Sequence, residues 1–318
     1  MRKNINTEHI EGRIYQHDLE LKTVQNQSSA NFGKQYINGT VEVATDEECL
    51  NIIPVSFTFV TENTKTGGKN KTYAEMMKII NEGKTILADG MEAATKVSID
   101  TSIALNDFVA ADDSMVSQVI HQGGFLTVVS ALKDEALRNT FKTDMVITSV
   151  NRVEADPEKY IYEDYVSVRG AVFDFKNALL PVEFVVKNPD GMKYFEDLDV
   201  TSAEPIYTSV WGRIDFKNVS IPVTEASAFG ESAVTVRNRK VKHWVITGAS
   251  KVPYDFGDEK VMTEAELIKA MQDREVHLAD VKKKREDYLA QKNNTPSAIP
   301  SAAIPTPSAA VAQGKFSF

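Results

Sequence analysis

Three segments, GRIYQHDLELKTV (residues 12–24), QYINGTVEVAT (35–45) and LNIIPVSFTFVT (50–61), decide the fold. Each alternates or runs apolar and is rich in Ile, Val, Thr, Tyr and Phe, the make-up of strands in a half-buried sheet. The period then changes. In YAEMMKII (73–80), Tyr73, Met76, Met77 and Ile80 fall on one helical face. Strand-like sequence returns at ATKVSIDTSIALNDFV (94–109) and MVSQVIHQGGFLTVV (115–129). The order is three strands, a helix and two strands.

That order is the one found in the five-stranded OB-fold barrel. The fold class expected is mainly β with some α. It comprises an OB-fold barrel over 1–132, a second β-rich, OB-like domain over 133–258, an amphipathic helix over 259–292 and a disordered tail over 293–318. In the second half a helix-like stretch, Leu132 to Phe141, precedes strands at 144–153, 164–175 and 179–187. A turn at Asn188-Pro189-Asp190-Gly191 leads to strands at 206–216 and 232–247. Gly212-Arg213-Ile214 followed by Ser227-Ala228-Phe229-Gly230 echoes Gly12-Arg13-Ile14 followed by Ser29-Ala30-Asn31-Phe32-Gly33, which suggests a duplicated barrel. Thr263-Glu264-Ala265-Glu266 is a capping box opening a helix with Leu267, Met271, Leu278, Val281 and Tyr288 along one seam. Arg274 and Arg285 interrupt that seam, which favours docking on the barrel or weak self-association over a long coiled coil. From Asn293 the chain is Pro-, Ala- and Ser-rich without periodicity.

Gly12-Arg13-Ile14 opening the first strand, a polar loop, a second strand and an aromatic third strand resemble bacterial and phage single-stranded DNA-binding proteins. The resemblance covers about the first third of the chain, as a pattern rather than an identity. The whole chain is most similar to a replication protein of tailed phages. The resemblance implies a non-enzymatic protein that binds single-stranded DNA without sequence preference in phage replication, recombination or repair, in the host cytoplasm. Its tail resembles the tether through which that family docks replication or recombination proteins. Here the tip, Phe316 and Phe318, lacks the family's acidic residues. A homo-oligomer stays open. Two other readings remain beside this one: a structural or assembly protein of a phage particle, and an annealing or recombination mediator.

A single-strand site needs cations for phosphates and aromatic faces for bases. The loop TKTGGKNKT (64–72) carries Lys65, Lys69 and Lys71 without an acid. It is not a phosphate-binding P-loop, because Asn70 follows the lysine where Ser or Thr is required. Arg13 and Tyr15 on the first strand, Phe32 and Lys34 in the following loop, and Tyr36 on the second strand are candidate contacts. Phe57 and Phe59 share one side of the third strand and read either as barrel core or as stacking platforms. In the second half, Tyr207, Trp211 and Arg213 alternate onto one face, opposite Val210, Ile214 and Phe216. Arg237, Arg239, Lys240 and Lys242, ending at Trp244, form a basic run that reads as a phosphate track or a charged sheet edge.

Length and charge set the remaining limits. A chain of 318 residues can bury a sizeable core, and its net charge of -9 requires any nucleic-acid affinity to come from a local basic face. The N-terminal sequence lacks an apolar signal segment and no run reaches membrane-spanning length, so a cytoplasmic protein without membrane contact is expected. Cys49 is the only cysteine and reads as a small hydrophobe at a strand edge. The five histidines show no metal-ligand spacing, and no hydrolase motif occurs. Glu196, Asp197 and Asp199 read as a solvated acidic loop. No catalytic residue, metal or cofactor is expected.

Overall fold

The computed structural model describes residues 4–159, 161–225, 229, 233–256 and 262–294, with side chains for all of these except 158, 217–225, 233, 234, 236–240 and 291–294. The first barrel is built from β1 (Asn6–His17), β3 (Gln35–Ala44), β4 (Ile52–Thr61), β5 (Lys96–Val109) and β6 (Met115–Val128), with β2 (Glu20–Thr23) extending β3 as a hairpin. β3 pairs with β1 and β4, β5 pairs with β1 and β6, and β4 meets β6 in parallel at Val55 and His121. The ring β1-β3-β4-β6-β5 is the OB-fold order. Between β4 and β5 lie α1 (Lys71–Glu82) and the one-turn α2 (Ile86–Asp89). Asn70 caps α1 by accepting the Thr72 N–H, and Met76 and Ile79 close the barrel end.

The second barrel repeats this order. β7 (Asn139–Val153), β8 (Tyr165–Phe173), β9 (Leu179–Val186), β10 (Ile206–Glu225) and β11 (Ala233–Ala249) form a ring closed in parallel at Val185 and Val245. Its helix α3 (Pro189–Glu196) again lies between the third and fourth barrel strands. Asn188-Pro189-Asp190-Gly191, read as a turn, is the start of that helix: Asn188 accepts the Gly191 N–H, and Pro189 takes the first helical position, where its missing N–H costs nothing. The duplication lies in strand order and not in the tripeptides. Gly12-Arg13-Ile14 is on the first strand of one barrel and Gly212-Arg213-Ile214 on the fourth strand of the other.

The helix-like stretch from Leu132 to Phe141 is also corrected. Only Glu135–Leu137 turns, as a 3-10 helix, and β7 begins at Asn139 because residues 139–143 pair with β1. β1 therefore serves both barrels. Its Asn6–Ile10 half pairs with β7, its Arg13–His17 half pairs with β3, and β5 runs along its other edge. Gly12 sits where the chain changes partner, and a Cβ there would lie 2.1 Å from the Ala44 carbonyl oxygen. The result is a single eleven-stranded sheet and a buried apolar cluster that runs from Ile10 and Ile37 to Phe184 and Ile246.

At the junction a buried carboxylate gathers donors from both barrels. Glu8 on β1 accepts from the Trp244 indole N–H (2.7 Å, β11) and the Thr101 hydroxyl (2.8 Å, β5), and its other close partner is His121 Nδ1 (2.9 Å, β6). His121 and Trp244 stack obliquely, with Phe216 against both rings.

The helix α4 (Glu264–Asn294) straps the two barrels together. Thr263 and Glu266 form the reciprocal bonds of a capping box, and Leu267 and Ala270 bury against Tyr207 and Phe173 of the second barrel. One turn further, Arg274 reaches the first barrel, donating to both Asp107 oxygens at 2.6 Å and to the Ser117 hydroxyl at 2.9 Å. The arginine that reads as an interruption of the seam is its anchor.

Burial alone would raise the Asp107 carboxyl, but bonds from Arg274 and Ser117 and the nearby His277 hold it below the usual aspartate value. A depressed carboxyl stabilises the docked state above its ordinary pKa, and that contribution disappears as pH falls through the ordinary value and then the lowered one. Protection factors of the α4 amides, taken relative to unstructured peptide at the same pH, are therefore expected to be high at neutral pH and to fall below about pH 4. Asp107→Ala should lower that protection already at pH 7, with a cost of roughly 3 kcal/mol. Equal protection of α4 in the variant and the wild type would refute this.

Candidate nucleic-acid interface

On the outer face of the first barrel, strand alternation alone would not create an aromatic pair. Val41, Val43, Ile53, Val55 and Phe57 point inward and are buried. The β3–β4 register then shifts. Gly39 faces Phe57, but Ile37 faces Val60, so β4 spends three residues against two of β3. Such a bulge reverses the facing of the residues beyond it. Phe59, which alternation puts beside Phe57, is turned outward and is 45% exposed, whereas Phe57 is 2% exposed. It meets Tyr36, with ring centroids 4.5 Å apart and planes 31° from parallel. Gly39 makes room at this point: its φ is +135°, and a Cβ would lie 2.6 Å from the Asp18 carbonyl oxygen.

Cations gather at the same end. Lys22 on β2 is the register partner of Tyr36, and the Glu20 carboxylate beside it holds its ammonium above the usual lysine value. The β2–β3 turn carries Phe32, 52% exposed, and Lys34, whose ammonium donates to Asn31 at 3.0 Å. Thr61, the other register partner of Tyr36, leads into the loop 62–70. That loop is closed by its own backbone bonds from Thr64 N to Gly68 O and from Asn70 N to Glu62 O. Lys65 and Lys71 are exposed and pair with no acid among the described residues, whereas Lys69 is held by Glu62 at 2.5 Å. The structure thus brings Phe32, Lys34, Tyr36, Phe59, Lys65, Lys69 and Lys71 to one end of the barrel. Lys22 joins them, and only the register reveals it.

Other expected contacts lie elsewhere. Arg13 pairs in register with Ala44, eight residues along β3 from Tyr36, or about 27 Å at the strand rise. It lines a small pocket in which Lys96 and Arg138 stand beside Asp46 and Glu47. Tyr15 is half-buried at the β1 bulge, between these two ends. Phe57, Tyr207 and Trp244 are corrected as base contacts, because all three are buried. Tyr207 and Trp211 do share a face, but Tyr254, Phe256 and the start of α4 cover Tyr207. Trp211 escapes that cover, 40% exposed, with its indole lying over Gly248, where a Cβ would be 2.5 Å from Nε1. Arg213 is engaged with Asn139 at 2.9 Å and the Glu135 carbonyl at 3.3 Å. Lys242 lies over the Phe216 ring at 5.5 Å. In register, Arg237 faces Ile221, Arg239 faces Val219 and Lys240 faces Asn218, and their side chains lie outside the described residues, as do Phe316 and Phe318.

A cleft of about 830 Å³ opens between the barrels, lined by six acids, among them Asp46, Glu47 and Asp215, against Arg138, Lys187 and Arg213. Its cations are already engaged: Arg138 with the Thr45 carbonyl, Lys187 with Glu163 and Arg213 with Asn139. This suits a phosphate chain poorly. Cys49 borders the loop that contributes those acids, and burial pushes its thiol up, away from a reactive thiolate. Glu196 pairs with Arg152 at 3.1 Å, and no cluster of metal-ligating side chains occurs among the described residues. No helix among them is long and apolar enough to cross a membrane.

No curated protein matches the chain. Among solved structures, a deletion variant of the single-stranded DNA-binding protein from Thermus aquaticus aligns over 81% of this chain and 100% of its own, at 12% identity and a TM-score of 0.47. A replication protein A heterotrimer bound to single-stranded DNA aligns over 75% of this chain and 49% of its own, at 9% identity and a TM-score of 0.21. The YorF family model matches residues 4–284, nearly the whole described structure. The chain belongs to the YorF family.

Proposed function

We propose that this chain binds single-stranded DNA without sequence preference, through the outer β3–β4 face of its first barrel. The observation that carries the reading is the Tyr36–Phe59 pair, turned outward by a bulge and flanked by loops bearing Lys34, Lys65 and Lys71. In OB folds the second and third barrel strands and the loops beside them are the surface used for oligonucleotides. Aromatic faces stack on any base, and nearby lysines release counterions from the backbone, so affinity arises without base-edge recognition. Trp211 offers a stacking surface on the second barrel. The resemblance in sequence extends the reading to phage replication or recombination, with the C-terminal tail engaging partner proteins.

The test is anisotropy of labelled oligo-dT and of matched duplex across a salt series, with tryptophan emission followed in parallel. Expected are tighter binding to the single strand, affinity that falls with salt, and quenching that arises from Trp211, since Trp244 is 6% exposed with its N–H on Glu8. An absence of binding at low salt would overturn the proposal.

A further inference from the structure

We infer that Lys282, Lys283 and Lys284 on α4 form a second phosphate-binding element that extends the nucleic-acid path beyond the first barrel. The inference rests on the single-strand reading and adds residues outside either barrel.

The Arg274–Asp107 pair fixes α4 against the β5–β6 hairpin close to its tip, since Asp107 lies two residues before the end of β5 and Ser117 two after the start of β6. In an OB fold that hairpin flanks the oligonucleotide face. Centred nine residues past Arg274, about 14 Å along a helix, come Lys282, Lys283 and Lys284, all exposed.

Nothing within the helix accounts for them. Asp280, Glu286 and Asp287 stand at spacings that allow pairs with these lysines, yet none forms among the described residues. The run stands about ten residues before the helix end, beyond the reach of the helix dipole. Docking uses Leu267, Ala270 and Arg274 and does not need it. Three exposed ammonium groups within one helical turn concentrate positive charge, and a phosphate chain that meets them would release its condensed counterions. A phosphate backbone is the polyanion that the aromatic face proposed for the first barrel calls for, and a long strand crossing that face toward the β5–β6 tip would meet these lysines.

The test compares the full chain with the K282Q/K283Q/K284Q variant on oligo-dT of increasing length over a salt series. Three phosphate contacts on a single strand contribute about 2 to the slope of log affinity against log salt. The variant is expected to lose that much slope, and up to about a hundredfold in affinity at 0.1 M salt, on long oligomers. On oligomers that reach only the Tyr36–Phe59 face it should match the wild type. If the wild type binds and the variant keeps its slope at every length, this inference falls and the single-strand reading stands. If the wild type binds no oligo-dT, both fall.

Discussion

Glu8→Leu is expected to lower unfolding stability by roughly 3–5 kcal/mol, because it removes the acceptor shared by three buried partners and leaves them without one. The side chain is enclosed, and the Trp244 indole, the Thr101 hydroxyl and His121 have no solvent to turn to. Such a loss is a large share of the total for a typical domain. The donors come from both barrels, so a urea titration should show one transition moved to lower denaturant, with no early loss of a single barrel. Glu8→Gln keeps one acceptor oxygen and should cost about 1–2 kcal/mol. In a Trp211→Phe background, emission reports Trp244 alone and should change with Glu8→Leu before unfolding begins. A cycle with Trp244→Phe should show coupling of about 0.5–3 kcal/mol, and a coupling of zero would mean that the junction is held by apolar packing alone.

The largest functional effect is expected from Tyr36→Ala combined with Phe59→Ala. Each stacked base contributes about 1–3 kcal/mol, so the pair should cost from about thirtyfold to more than a thousandfold in affinity for oligo-dT. The salt slope should stay near that of the wild type, because no cation is removed. Both rings are partly exposed, so the fold should tolerate the change, which an unaltered urea midpoint would verify. Phe57→Ala is the contrasting case. Its ring is buried against Gly123, so its loss should lower stability by about 3–5 kcal/mol through a cavity rather than act on DNA directly. A double variant that binds as tightly as the wild type would move the site off this face.

Local signals are legible in this sequence, and long-range ones are hidden. The period-2 segments at 12–24, 35–45 and 50–61 and the helical seam at 73–80 are local, and they carry the order of the first barrel. The outward turn of Phe59 depends on a bulge between two strands, and simple alternation puts it with Phe57. Tyr207 and Trp211 share a face as the alternation says. Only the return of Tyr254, Phe256, Met262, Leu267 and Ala270 decides that one is covered and the other open. Residues 132–141 have apolar spacing suited to a helix, yet pairing with a strand more than a hundred positions earlier makes most of their second half extended. The three lysines on α4 are plain in the sequence, but their relevance depends on where Arg274 fastens the helix.

The split of β1 between two barrels also matters while the chain is being made. Residues up to 128 contain every strand of the first barrel, but the Asn6–Ile10 edge gains its partner only when Asn139–Thr143 leaves the ribosome. At translation rates of about 5–20 residues per second, the stretch between Val128 and Thr143 leaves the nascent barrel with an open strand edge for about one to three seconds. That edge holds buried-type residues such as Ile10 next to Glu8, whose indole partner lies a further hundred residues downstream. An unpaired edge is a template for pairing with a neighbouring nascent chain on the same message. Synthesis therefore has a vulnerable interval that the finished molecule no longer shows, and it closes when the second barrel supplies the missing strand.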